Sequence, residues 1–481
     1  MVPSTTTIQF DIAWDNSWNT AAPSSNWDAV WVFVKTQVCA LGASPWNHTL
    51  VSTTSGQHSV SGGVLQVDAV TDGMGVFIRR NAGTLGSGNI ATSTVTLQFQ
   101  SAYVVASTNY KVIGIEMVYV PQGAFSLGDG SSTTTQSLYS FGTSGASATY
   151  NVTSEAALGI EALYNVASSG PVSRHQPVIA AFPKGYNAFY CMKYEISQQQ
   201  YSTFLNLLTF SQQITRTAAS PTSAIGTAAL AATSGDNRNS IEIQTPGIAT
   251  STPAIYGNDL NNNNVCDEAT DGGTIACNYL NWYDLIAYLD WAALRPMTEL
   301  EFEKAARGTN GPVTTEFPWG TTTINQAISS AINNGGNVNE VSTSSLDGLC
   351  VVNGGASSAL GPLRVGCEAT ASTTRTGAGA SFYGIMDLGG NVWEQAFQVG
   401  HIFANVYVTT AAFTGSLGNG TLGGGGDANE ASWAGGPVMA VVRGGNWEYA
   451  ASLAQTSDRT YVISTTENAT RTRRTGGRGV R

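Results

Sequence analysis

The N-terminal quarter of the chain alternates between apolar and polar positions in the manner of β-strands. Residues 8–14 place apolar side chains at every second position, and residues 30–34 form an unbroken apolar run typical of a buried strand. Two more apolar segments, 75–78 and 95–99, are separated from these by glycine-containing and Asn-Ser turns. The pattern predicts a small all-β, sandwich-like domain over residues 1–110.

A different periodicity begins further along the chain. Apolar residues recur at helical spacing in residues 198–208, where Tyr201 and Phe204 share one face, and again in 281–293 and 299–307. The spacing predicts three amphipathic helices among further strands, and therefore an α+β domain.

Long polar segments of low complexity interrupt this second domain. We place insertions at about 211–275, 321–379 and 400–436, which are rich in Ser, Thr, Ala, Asn and Gly. Loops of this length in a compact fold are usually functional or disordered. If ordered, loops with so little charge need neighbours, metals or glycans to hold them, which favours an assembled protein.

Charge is scarce along the whole chain. Charged residues make up 11% of the sequence, and only five are lysines, whereas an ordinary soluble domain has about 25% charged residues. Such a polar but uncharged surface suits dense assembly or glycan cover. The net charge of −11 argues against nucleic-acid partners. Arginines do cluster in the tail, at 459, 471, 473, 474, 478 and 481, and we interpret them as internal ties to acidic partners.

Seven short blocks occur in a fixed order and together carry a family resemblance. They lie at residues 117–125, 194–197, 295–308, 318–320, 383–394, 443–447 and 477–481. The ordered series resembles the formylglycine-generating-enzyme (sulfatase-modifying factor) family, roughly from residue 112 to the C-terminus. The resemblance implies a C-type-lectin-like fold for residues 111–481.

The residues that make that family an enzyme are missing. In the family, two cysteines shortly after the Arg-Gly-Gly block bind copper; here Tyr449 and Ala454 stand near those places, and no cysteine follows Cys367. Phenol and methyl groups do not replace the soft thiolate ligand of Cu(I). The four histidines are scattered, without the spacing of an iron site. We therefore expect a non-catalytic member that holds no copper.

Two segments are candidate calcium loops. By resemblance, Asp387, Gly390, Val392 and Glu394 match the family's calcium loop, through two carboxylates and two backbone carbonyls, all hard oxygen donors. The alternative is a pair of carboxylates that cap the loop.

A second loop resembles the calcium loops of thrombospondin-type and EF-hand-like sites. Its ligand positions are Asp259, Asn261, Asn263 and Asp267, with Asn264 where glycine is usual. Asparagine tolerates the left-handed conformation that the turn requires. With asparagine at two ligand positions the site is weak, and an ordinary Asn-rich turn explains the segment equally well.

The cysteines and sequons bear on the cellular compartment. Two short-loop disulfides are predicted, Cys266–Cys277 and Cys350–Cys367, each stabilising by about 3 kcal/mol, with Cys39 and Cys191 as buried free thiols. Such disulfides imply an oxidising compartment; the alternative is free thiols throughout. Candidate glycosylation sites are Asn47, Asn151, Asn419 and Asn468, although chance matches are expected in a Thr-rich chain.

The start of the chain shows no signal peptide, and no segment approaches the roughly 20 apolar residues of a membrane helix. We expect an extracellular or cell-surface protein, with a virion surface as the alternative.

Three functional hypotheses follow. The first is a non-catalytic structural subunit that assembles with copies of itself into a surface filament, sheath or similar structure, with glycans attached or bound. The second is a ligand-binding display module, because the tail resembles the variable region of retroelement-diversified lectin-fold proteins. Its binding face would comprise Asn446, Glu448, Tyr449, Ser452, Thr460, Tyr461 and Asn468. The third is a residual oxidase.

Overall fold

The fold was obtained as a computed structural model. It describes residues 4–22, 24–39, 45–104, 107–130, 137–141, 147–159, 164–165, 173–174, 177–327, 332–353, 361–399, 402–403, 406–407, 413–433, 436–462 and 465–481. Parts of the predicted insertions at 321–379 and 400–436 lie outside these residues.

The described residues contain few helices and many strands. The helices are α1 (Gln198–Leu205), α2 (Phe210–Arg216), α3 (Trp282–Trp291), α4 (Glu299–Arg307) and α5 (Thr465–Ala469). The strands of the N-terminal half are β1 (Ser4–Asn19), β2 (Asp28–Val38), β3 (Asn47–Thr49), β4 (Ser59–Val60), β5 (Leu65–Ala69), β6 (Val76–Arg80), β7 (Gly86–Val104), β8 (Thr108–Val120), β9 (Phe125–Leu127), β10 (Leu138–Phe141), β11 (Ser147–Ala148), β12 (Tyr150–Val152), β13 (Tyr164–Asn165), β14 (Ser173–Arg174) and β15 (Phe189–Met192). Those of the C-terminal half are β16 (Ile241–Thr245), β17 (Ile255–Asn258), β18 (Arg295–Pro296), β19 (Asn325–Gln326), β20 (Ile332–Asn333), β21 (Val341–Ser342), β22 (Leu349–Cys350), β23 (Trp393–Phe397), β24 (Ile402–Phe403), β25 (Val406–Tyr407), β26 (Ala440–Arg443), β27 (Thr475–Gly476) and β28 (Gly479–Val480).

One sheet connects the two predicted domains. It has eight strands, in the order β18-β28-β15-β8-β2-β6-β5 with β3 attached to β2. β2 and β8 pair antiparallel from Asp28 opposite Val118 to Val38 opposite Thr108. In place of a domain boundary at residue 110, the structure has a strand that runs through this position and a sheet that continues across it.

The apolar run at 30–34 is buried because both faces of β2 are covered. Val30, Val32 and Val34 belong to a core shared with β1 and β7, whereas Trp31 and Phe33 belong to the core that contains the helices. A strand covered on both faces carries a continuous apolar run instead of an alternating one. The smaller sheet, in the order β1-β7-β4, supplies the cover on the first side.

The predicted helices are confirmed, and local caps define where they begin. α3 begins after Asn281 and α4 after Thr298, each through a capping box that satisfies free backbone N–H groups. α4 has the predicted bounds and ends at Gly308, whose φ of 66° a glycine adopts without strain. α1 ends at Leu205, three residues before the predicted end.

The sequence pattern missed helix α2, which lies at the start of the predicted insertion 211–275. It is capped by Thr209 and Gln212, which form a Thr-x-x-Gln capping box. This four-residue motif is visible in the sequence, but the Ser and Thr residues around it led to the prediction of a loop.

Neutral amide side chains hold the insertion at 211–275 in place. Gln213 donates to the carbonyl of Leu205 and accepts from the backbone of Ala254. Asn206 makes the same two-way contact with the backbone of Tyr256. These contacts, together with the ion pairs Arg216–Asp284 and Arg238–Glu340, attach the segment to the rest of its own chain.

The predicted disulfides are not formed. All six cysteines lie in the described residues and all six are free thiols. Cys350 and Cys367 pack in separate apolar clusters, and Cys350 Sγ–H donates to the carbonyl of Gly389. Cys277 is fully buried in the main core, whereas Cys266 is half-buried in a turn. Sequence proximity brought neither pair together, so the sequence argument for an oxidising compartment is lost.

The other two cysteines differ in their exposure to solvent. Cys191 is buried as predicted, and burial raises the pKa of its thiol to about 12. Cys39 is exposed, contrary to prediction, because β2 ends at Val38.

Buried ion pairs fasten the C-terminal part of the chain to helix α4. Arg443 contacts Glu299 and Glu303, and Arg459 also contacts Glu299, with all four side chains fully buried. Arg478 pairs with Glu394 at 2.5 Å in the same way. The interpretation of the tail arginines as internal ties is confirmed for Arg459 and Arg478.

In the part of the chain that the structure describes, every helix is too short or too polar to cross a bilayer.

Candidate ligand-binding face

The candidate face is built on a tight turn after β26. Gly444 and Gly445 have φ values of 86° and 76°, in the region that favours glycine. A Cβ on Gly445 would lie 2.9 Å from the backbone nitrogen of Ala454, and one on Gly444 would lie 2.7 Å from the carbonyl oxygen of Leu388. The two glycines therefore let the chain pass directly against its neighbours, and the turn that follows brings Glu448 and Tyr449 to the surface.

The two positions that the family resemblance assigns to copper ligands carry no sulfur. Ala454 is completely buried and packs with Phe317, Trp319 and Cys350. Tyr449 is half-buried at the surface. Across the described residues, no three His, Cys, Asp or Glu side chains form a group that could hold a metal ion.

An aromatic stack stands where the first of these ligands would be. The rings of Tyr449 and Tyr461 are stacked, with centroids 5.6 Å apart and an angle of 27° between planes. Buried Trp393 supports both rings from below, at 6.4 Å from Tyr449 and 5.4 Å from Tyr461. The guanidinium of Arg474 lies 4.8 Å from the Tyr449 ring centroid. Both tyrosines are thus held in fixed orientations while part of each ring remains accessible.

Charged side chains border the stack. Glu448 accepts from Arg473 at 2.5 Å and from Arg474 at 3.2 Å, and Arg474 also donates to Glu467 at 2.5 Å. Hydrogen bonds from Arg473 hold the pKa of Glu448 below its usual value, against an opposing effect of partial burial. With 45% of its side chain exposed, Arg473 is the most accessible charge of this network.

Some of the predicted ligand-binding residues lie at the surface, and others are buried. Glu448, Tyr449 and Tyr461 come together, and Ser452 and Thr460 are exposed. Asn446 and Asn468 are buried, contrary to prediction.

The two asparagines have structural contacts instead. Asn446 Oδ1 accepts from the backbone N–H groups of Glu448 and Tyr449 and so shapes the turn, and Asn468 Nδ2 donates to the carbonyl of Ala440. Sequence reasoning also missed Arg473 and Arg474 as parts of the face. The signal for them was the tail cluster of arginines, which were assigned to internal ties only.

The loop at 387–394 is buried and largely satisfied by protein groups. Glu394 pairs with Arg478, and the backbone N–H of Val392 donates to Glu195. Asp387 accepts from the backbone N–H of Gly366 at 2.7 Å. Burial raises the pKa of Glu394 to about 7.

A single feature of this loop favours a cation. Glu394 Oε2 is buried and has no hydrogen-bond partner within the described residues. The predicted calcium site remains a prediction that rests on this oxygen, since the other Glu394 oxygen pairs with Arg478 and Asp387 accepts from Gly366.

The second candidate calcium loop is organised by its own backbone. Asp259 accepts from the backbone N–H groups of Asn263 and Asn264, at 3.1 and 2.8 Å. Asp267 instead accepts from Asn258. The two carboxylates thus serve different turns, and this geometry favours the Asn-rich turn over a metal loop.

The four sequons differ in accessibility. Asn47 and Asn151 are exposed, and Asn419 is half-buried with its Oδ1 accepting from Thr421. The burial of Asn468 removes it as a glycosylation candidate.

Comparison with known proteins identifies the family. The profile of the sulfatase-modifying factor enzyme 1-like domain matches residues 105–481. The chain belongs to this family. None of the curated proteins matches it.

Among solved structures, the chain is similar to variable protein 1 of Treponema denticola. The identity is 14%, over 79% of this chain and 97% of that chain, with a TM-score of 0.31. The family match begins at residue 105, within three residues of the start of β8. The sulfatase-modifying factor domain therefore shares its central sheet with strands that precede the matched region.

Proposed function

We propose that the protein is a non-catalytic recognition protein that binds a ligand at the face of Tyr449, Tyr461 and Arg473. The observation that carries the proposal is the supported tyrosine stack beside an exposed arginine, at a position where the family resemblance places a sulfur ligand. A phenol in this stack provides contact area and a hydrogen-bonding hydroxyl, whereas it supplies no thiolate for Cu(I) chemistry.

The arrangement has the properties of a preorganised binding surface. Tyrosine offers a large amphipathic contact area with few rotatable bonds, so little conformational entropy is lost when a ligand binds. Trp393 and Arg474 immobilise the rings before binding. A half-exposed arginine beside them supplies a planar donor for carboxylate, phosphate or carbonyl oxygens. An extracellular location is part of the same proposal and is supported by the charge-poor composition.

The experiment is a binding screen with matched tyrosine variants. Purified protein is applied to arrays of peptides and glycans, and each hit is repeated with Tyr461→Ala. We expect binding to be lost in this variant and kept in Tyr283→Ala, which removes a more accessible tyrosine, 43% exposed, from helix α3. Binding that survives Tyr461→Ala, or that fails equally in both variants, would contradict the proposal.

Residual oxidase activity is the alternative to a non-catalytic function. Copper loading followed by incubation with a cysteine-containing peptide should give no stoichiometric copper and no aldehyde product. Turnover in this assay would overturn the non-catalytic assignment.

A second candidate function is a structural subunit of a surface filament or sheath. It is favoured by the 11% charge content and by the long edge strand β1. Negative-stain imaging of concentrated native material tests it: regular polymers support a structural role, and dispersed particles contradict it.

A further inference from the structure

Strand β1 is an unusually long edge strand. It spans 16 residues, Ser4–Asn19, whereas strands of globular proteins commonly have about five or six. It is the outer strand of the sheet β1-β7-β4. Among the described residues, β7 is the strand that pairs with residues 8–12, in unbroken register from Ile8 opposite Leu97 to Ile12 opposite Ser93. The opposite edge of this segment faces no other strand of the described chain.

The inner row of β1 is incompletely covered. Ile8, Phe10 and Ile12 pack against the core of the sandwich, yet each remains half-buried. The facing residues on β7, Val95 and Leu97, are fully buried. The apolar core between the two sheets therefore extends to the edge strand β1, whose inward-facing side chains are partly exposed to water.

The usual protections of an edge strand are missing from this segment. Natural edges carry lysine, proline or bulges that prevent another strand from pairing. β1 contains no Lys, Arg or Pro, and its only charges are Asp11 and Asp15. Its register shifts lie between Thr5 and Thr7 and after Ile12, so they bracket residues 8–12 without interrupting them. Five consecutive residues are thus left regular and open to pairing.

We propose that two copies of the chain pair antiparallel through β1, which joins two three-stranded sheets into one of six strands. The register centres on Phe10, so that Phe10 lies opposite Phe10 of the second copy. Ile8 then lies opposite Ile12, and Gln9 lies opposite Asp11. This proposal does not depend on the ligand-binding face, which lies on other elements.

The side-chain pattern supports a second copy as the occupant. Side chains directly opposite each other in an antiparallel pair share one face, so a two-fold pairing must place apolar positions opposite apolar positions. The register centred on Phe10 meets this requirement and continues the half-covered row into its own copy. It also separates the two Asp11 carboxylates, since each faces an amide.

The first test is the oligomeric state of three variants by analytical ultracentrifugation across a concentration series. The unmodified protein should show a concentration-dependent dimer. Phe10→Lys should abolish the dimer, because it places two ammonium groups opposite each other, whereas Phe10→Leu should retain it. Thr96→Lys is the matched control: Thr96 lies opposite Gln9 one strand further in, paired on both sides, so the dimer should persist.

The second test reads the register and does not depend on dimer stability. In a Cys39→Ser background, Phe10→Cys should form an intermolecular disulfide under mild oxidation, because directly opposite Cβ atoms lie about 5 Å apart. Ala13→Cys should not, because its equivalent in the second copy lies six residues away along the strand, about 20 Å.

Three outcomes would overturn the pairing. These are a monomer at all concentrations, a dimer that survives Phe10→Lys, and a dimer in which Phe10→Cys does not cross-link. A monomer that binds an unrelated strand-forming peptide at β1 would also overturn it, in favour of peptide capture. A dimer with no ligand at the tyrosine face would leave this inference standing while the proposed function fails.

Discussion

Arg443 offers the sharpest test of how the C-terminal part of the domain is held. Its Nη1 lies 3.1 Å from Glu299 Oε2, and its Nη2 lies 2.9 Å from Glu303 Oε1 and 2.7 Å from the carbonyl oxygen of Thr456. The Arg443 side chain and both glutamates are 0% exposed. Burial alone would raise the pKa of Glu299, but Arg459 and Arg443 reverse the shift and hold it below the usual value.

Arg443→Met keeps most of the side-chain volume and removes the charge. Glu299 and Glu303 then each lose a buried cationic partner. Removal of one partner from a buried ion pair typically costs about 3–5 kcal/mol. For 481 residues the unfolding entropy is roughly 1 kcal/mol/K, so a loss of about 4 kcal/mol corresponds to a drop of about 4 °C in Tm if the chain unfolds as one unit.

The assay is calorimetry combined with urea denaturation, with Arg473→Met as the matched control. Arg473 also contacts a glutamate, but 45% of its side chain is exposed, and such surface pairs contribute about 0–1 kcal/mol. We expect Arg443→Met to be several-fold more destabilising than the control. Equal losses in both variants would refute the conclusion that burial determines the strength of these contacts.

Three further outcomes follow from the structure. Trp31→Ala should cost about 3–5 kcal/mol, in a single calorimetric transition, because this fully buried ring packs against the helices from a strand of the shared sheet; two separate transitions would show that the N-terminal strands fold independently. Burial raises the pKa of Glu394 and of Asp458 to about 7, so the folded state binds more protons than the unfolded chain between about pH 5 and 7. Stability should therefore fall as pH rises through this window, with a shallower slope in Asp458→Asn; a flat Tm profile would contradict it. Calcium added after EDTA treatment should raise Tm and should fail to do so in Glu394→Gln, whereas Asp259→Asn should keep the response; an unchanged Tm in the unmodified protein would remove the calcium prediction.

The elements predicted correctly are those whose causes are local. Helix α4 begins at a capping box and ends at a glycine, all within eleven consecutive residues, so its bounds could be read directly. The apolar run at 30–34 predicted a buried strand because continuous apolarity needs cover on both faces. The family resemblance was also visible as short blocks in a fixed order.

Contacts between distant segments decided the rest. No local signal indicates that β2 pairs with β8, about eighty residues later, or that the sheet crosses residue 110. The spacing of Cys350 and Cys367 suggested a bridge, but the packing of each thiol into a different apolar cluster prevents one. Sequence distance does not report spatial distance once a chain is packed.

The candidate face shows the same division. The absence of sulfur at Tyr449 and Ala454 is a property of the sequence alone, and it was sufficient to predict a non-catalytic member. That Tyr449 stacks on Tyr461 above Trp393, beside an accessible Arg473, required three separate segments to converge. The identity of each side chain is given by the sequence. The shape and exposure of a binding surface arise only when long-range packing buries some polar groups and leaves others in water.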